Sequence, residues 1–111
     1  MGYGLHITRK KDWADPNGPQ ISSDEWLAYI ATDPQLQLDP NFRGHAVRLL
    51  VESEHMEPLL EWFHGDIYTK NPDEPIVKKM LEIAKALRAR VQGDDGEFYS
   101  SANFEDVVYE N

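Results

Sequence analysis

The chain is 111 residues long, 41% hydrophobic, and carries 20 Asp and Glu against 11 Lys and Arg, for a formal net charge of −9. That length holds one domain with a single modest core, and the apolar content is too high for a disordered chain. The charge speaks against direct binding to nucleic-acid phosphates, and the absence of cysteine excludes disulfides and thiolate zinc sites.

Tyr3 to Arg9 (YGLHITR) alternates, with Tyr3, Leu5 and Ile7 on one side, which is the period of a half-buried strand. Arg9, Lys10 and Lys11 then make a short basic spot. The Asp-Pro and Asn-Gly-Pro steps that follow are loop chemistry. A helix is predicted from Ser23 to about Asp33. Ser22 and Glu25 form a capping box, and Ile21 and Trp26 are spaced as a hydrophobic staple. Its buried face reads as Leu27, Ile30 and Ala31, with Trp26 at the margin, and Pro34 ends it.

Leu36 and Leu38 allow a short strand, and Asp39-Pro40-Asn41 reads as a turn. Strands are expected over 45–52, with Val47, Leu49 and Val51 on one face, then over 58–63 and 66–70. His64-Gly65 joins the last two as a hairpin.

The strongest pattern lies between Asn71 and Arg90. Asn71 or Asp73 caps a helix, Pro72 and Pro75 suit its first turn, and Ile76, Met80, Ile83, Ala84 and Leu87 recur at helical spacing. Lys85, Arg88 and Arg90 gather near its end, which complements the helix dipole. A Gly93-Asp94-Asp95-Gly96 turn and a short strand over 97–100 follow. The expected architecture is a single α+β domain over 1–111, with two helices packed on one face of a mainly antiparallel sheet of four to five strands. Residues 101–111 form a partly flexible acidic tail, into which Phe104, Val107 and Val108 bring some apolar character.

Charge and chemistry concentrate in the second half. Residues 51–111 carry fourteen acids and six bases, and there is no Lys or Arg from Val91 onward. The cluster Asp94, Asp95 and Glu97 offers hard oxygen ligands of the kind Mg²⁺ or Ca²⁺ takes. It lacks the EF-hand spacing, however, and Asp and Gly are also what any tight turn recruits. The four histidines, of which His6 is the best placed, have no metal-ligand spacing. No nucleophile elbow or phosphate loop occurs. We therefore assign no catalytic residue, no cofactor and no metal. Trp13 in a polar loop and Tyr99 beside the acidic turn are expected to be exposed, and aromatics beside carboxylates form protein-recognition patches.

Four segments, YGLHITR at 3–9, ISSDEWLAYIATDP at 21–34, KNPDE at 70–74 and MLEIAKALRARVQGDDGEFY at 80–99, resemble a set of small uncharacterised bacterial proteins. The likeness covers about half of the chain and departs from the pattern between Gln35 and Pro58. It implies a natural bacterial or phage domain and brings no activity or catalytic residue with it.

Together these features imply a non-enzymatic, acidic, cytoplasmic domain that docks a basic protein partner, as a bacterial immunity or inhibitor protein does. Asp94, Asp95, Glu97, Tyr99 and Trp13 form the expected contact. One alternative is a phage-type anti-defence protein whose carboxylates imitate DNA charge. Another is a metal-dependent hydrolase or small-ligand-binding protein using the acidic turn with His6. No membrane-spanning segment is present in the hydropathy pattern, and an uncovered hairpin edge would favour a homodimer by sheet extension.

Overall fold

The computed structural model describes residues 3–38, 45–53, 58–102 and 107–109. Within these, the chain order is β1 (Gly4–Thr8), α1 (Ser23–Thr32), β2 (Leu36–Leu38), β3 (Val47–Leu49), β4 (Leu59–Phe63), β5 (Asp66–Lys70), α2 (Glu74–Ala86), β6 (Arg90–Gly93), β7 (Phe98–Tyr99) and β8 (Val107–Val108). The α+β class holds. The sheet has eight strands, in the order β2-β3-β4-β5-β1-β6-β7-β8, rather than four to five. Every pairing is antiparallel. The Asp39-Pro40-Asn41 turn, His55 and Phe104 lie outside the described residues.

Cross-strand partners share a face of a sheet, so the register sorts the residues. Trp62, Ile67, Ile7, Val91, Tyr99 and Val107 run in a row across one face. Trp26 of α1 and Ile76, Met80 and Ile83 of α2 join that face in one buried cluster. Each of these helix side chains contributes roughly 1.5–3 kcal/mol by leaving water. Both helices therefore pack on the same face, as expected.

The start of α1 follows its sequence signals. Ser22 Oγ accepts the Glu25 N–H at 3.1 Å, and Glu25 Oε1 accepts the Ser22 N–H at 3.1 Å. The buried face differs from the expectation: Trp26 is fully buried, Leu27 and Ile30 are half-buried, and Ala31 is exposed. The reason is that the Trp26 indole N–H reaches the His45 carbonyl at 2.8 Å, so the whole ring can enter the core with its donor satisfied.

The second helix is capped by Asp73, not Asn71, and it ends at Ala86 rather than running to Arg90. Arg88 takes a left-handed φ of 56°, while the Ala89 N–H bonds to the Ala84 carbonyl at 2.8 Å. That is a Schellman ending without its usual glycine. It releases Arg90–Gly93 as β6, which pairs directly with β1 near the middle of the sheet.

The basic spot is also reassigned. Arg9 donates through Nη1 and Nη2 to the two carboxylate oxygens of Glu25, at 2.9 and 2.6 Å, and through Nε to the Leu87 carbonyl at 2.9 Å. It therefore ties β1 to the start of one helix and the end of the other. Lys10 is 4% exposed. The β4–β5 hairpin turns through His64 (φ 49°) and Gly65 (φ 85°), as its dipeptide predicts. It lies inside the sheet, and the edge strands are β2 and β8 instead. No helix among the described residues is long and apolar enough to cross a membrane.

Candidate functional site

The face of the sheet away from the helices carries a second cross-strand row: Glu61, Tyr68, His6, Gln92, Phe98 and Val108. Residues 10–20 cross this face as a strap. The Trp13 indole stacks on the His6 ring at 3.9 Å between centroids and 6° between planes. Its backbone N–H donates to Gln92 Oε1 at 2.7 Å. The far end of the strap is held where the Ile21 N–H bonds to the Gly65 carbonyl at 2.9 Å.

Gln92 also reaches the acidic turn, because its Nε2 donates to the Gly96 carbonyl at 3.0 Å. Asp94 completes the link. One carboxylate oxygen lies 2.8 Å from His6 Nε2 and the other accepts the Gly4 N–H at 2.7 Å. Strap, first strand and acidic turn thus form one connected unit around His6.

Beside this unit is a cleft of about 500 Å³ lined by His6, Trp13, Asp15, Phe63, Asp66 and Tyr68 among others. Its size lies in the small-ligand range of about 300–1,000 Å³. Lys10 and Asp66 form an ion pair at 3.3 Å at its base, with side chains only 5% and 8% exposed. Lys10 Nζ also donates to the His64 carbonyl at 3.3 Å. On the far side the Tyr68 hydroxyl donates to Glu61 Oε2 at 2.7 Å, and this bond, together with burial, raises the phenol's pKa. A smaller hollow of about 330 Å³ runs along Pro58, Leu59, Glu61, Tyr68 and Lys70.

The five contact residues named from the sequence do not form one exposed patch. Asp94 and Asp95 are exposed, and Trp13 is half-buried in its stack on His6. Glu97 and Tyr99 are buried, at 5% and 9% exposure, which corrects the expectation that Tyr99 lies open. Glu97 accepts a bond at 3.1 Å from the Tyr99 hydroxyl and a very short one from Tyr3, both on Oε2. Burial first, then the Glu97 carboxylate, pushes the Tyr99 phenol up to about 12 and lifts Tyr3 as well. Glu97 therefore anchors the turn to the helix side of the sheet.

Among the described residues, no group of three His, Asp or Glu is placed to hold a metal ion. The residues missed in the sequence are Gln92, Tyr68, Lys10 and Asp66. Gln92 follows a helix expected to run to Arg90 and reads as the lead into the turn, whereas Tyr68 falls on the outward period of the strand expected over 66–70. No protein family, curated protein or solved structure matches the chain.

Proposed function

We propose that this chain is a non-enzymatic acidic binding domain that docks a basic partner on the strap side of its sheet, in the manner of an immunity or inhibitor protein. One observation carries the reading. On the strap and the acidic turn, Asp12, Asp15, Asp94 and Asp95 are exposed, against Lys11 as the exposed cation. Of the neighbouring bases, Arg9 pairs with Glu25 and Lys10 with Asp66, while Lys70 and Arg90 are exposed on the same face of the sheet. The strap and the acidic turn thus keep an excess of exposed carboxylates, which would steer a cationic partner toward them and weaken as salt is added.

Calorimetric titration of the intact chain with an arginine- and lysine-rich peptide, at low and high ionic strength, tests this. Binding is expected at low salt and to weaken with salt. Asp95→Lys should reduce the affinity, because Asp95 is exposed. Binding that ignores both salt and Asp95→Lys would rule the reading out.

A further inference from the structure

We propose that the cleft under the Trp13 strap receives a single arginine side chain of that basic partner, its guanidinium lying flat against the aromatic wall. The inference rests on the basic-partner reading and adds where one side chain of the partner goes. The walls are aromatic: Trp13, His6, Tyr68 and Phe63 line one space. One face of the Trp13 indole is taken by His6, yet the residue remains half-exposed on the cleft. Phe63 is 62% exposed and meets the His64 ring edge-on at 4.1 Å.

Charge selects among the ligands that such walls admit. Asp66 and Lys10 neutralise one another beneath the strap. Asp15, exposed and lining the cleft, has no such cation among its hydrogen-bond contacts with the described residues; its Oδ1 accepts the Asn17 N–H at 2.9 Å. The net field at the cleft is therefore negative. A cation over an aromatic face gains quadrupole attraction, and a guanidinium is flatter and more weakly hydrated than an ammonium, so it stacks where lysine does not. The same face of the sheet already holds one such pair: the Arg90 guanidinium carbon sits 3.7 Å from the Phe98 ring centroid.

The test uses N-acetyl-arginine-methylamide as probe, with the lysine and glutamine counterparts as controls, followed by NMR on the intact chain. Saturable shifts are expected at the Trp13 indole N–H and the Tyr68 ring, strongest for the arginine compound. Trp13→Ala should weaken binding roughly five- to tenfold. Trp13 stands outside the buried core cluster, so the fold survives the change. Asp15→Asn, which keeps the bond to Asn17, should weaken binding without altering the amide spectrum elsewhere. The proposal is overturned if no saturable shift occurs at these positions, if the glutamine or lysine compound binds as well, or if neither variant matters. If the arginine probe fails while the basic peptide still binds in an Asp95-dependent way, the cleft assignment falls and the basic-partner reading stands. If neither binds, both fall.

Discussion

Asp94 and His6, 88 residues apart in the chain, meet at 2.8 Å because Gly4 leaves room for the carboxylate between them. A Cβ at position 4 would stand 2.7 Å from Asp94 Oδ1. The acidic turn is thus positioned by the first strand, and the first strand's outward histidine is oriented by the turn. The strap that carries Trp13 rests on the result.

Gly4→Ala is expected to displace the Asp94 carboxylate and cost about 1–3 kcal/mol, since a charged hydrogen bond to the Gly4 N–H and the contact with His6 are both disturbed. Chemical denaturation gives the loss, and NMR should show the Trp13 indole signal moving with it. A variant with unchanged stability and an unmoved Trp13 signal would contradict this account of the turn.

The Lys79–Asp33 pair, at 2.7 Å with side chains 6% and 9% exposed, links α2 to the end of α1. Lys79→Met is expected to destabilise the fold by about 3–5 kcal/mol, because Asp33 is left buried without its cation. Tyr29 and Gln35 still donate to Asp33, so the double change Lys79→Met with Asp33→Asn should recover part of the loss. Denaturant midpoints for the two single variants and the double variant measure the coupling.

Acid should weaken the junction of β1 with the helices. The bidentate bond from Arg9, aided by the Ser22 N–H, holds the Glu25 carboxyl down from 4.5 to about 2. A depressed carboxylate stabilises the fold above its unfolded pKa and loses that contribution as pH falls through the folded value. The melting temperature is therefore expected to drop between about 4.5 and 2, and Glu25→Gln should flatten part of that fall. Equal pH profiles for the two proteins would show that the pair contributes nothing.

Alkali acts at a second place on the helix side of the sheet. Tyr99 ionises at about 12 in the folded chain because it is buried and because Glu97 lies beside it. Its protonated form is favoured by folding, so its contribution is complete below about 10 and is lost as pH rises toward 12. Spectrophotometric titration of Glu97→Gln should show Tyr99 ionising earlier, though still above 10, since burial remains.

Local signals in the sequence were sufficient wherever a local group satisfied them. The Ser22–Glu25 capping box and the His64-Gly65 hairpin each close within a few residues, so their sequence patterns and their structures coincide, whereas β1, expected as a half-buried strand, is buried on both faces because it pairs with the distant β5 and β6. Helix α2 was legible along Ile76, Met80 and Ile83 but not at its end. A left-handed Arg88 carries no glycine to announce it, and the following Arg-Val-Gln-Gly has a side-chain pattern that suits helix and strand alike.

The GDDGE turn separates the two kinds of information most clearly. Sequence alone determined that Asp94 and Asp95 sit in a tight, acidic turn, since glycines and aspartates there dictate it. Only the tertiary structure decided where each carboxylate goes. Asp94 crosses to the open face because Gly4 has no side chain, and Glu97 turns to the helix side because Gly93 has none and Tyr3 and Tyr99 donate to it. Gly4 lies in a strand distant in sequence from the turn, and Gly93 ends a strand that follows directly on a helix expected to run to Arg90. The site around His6 therefore exists only once β1 and β6 are paired.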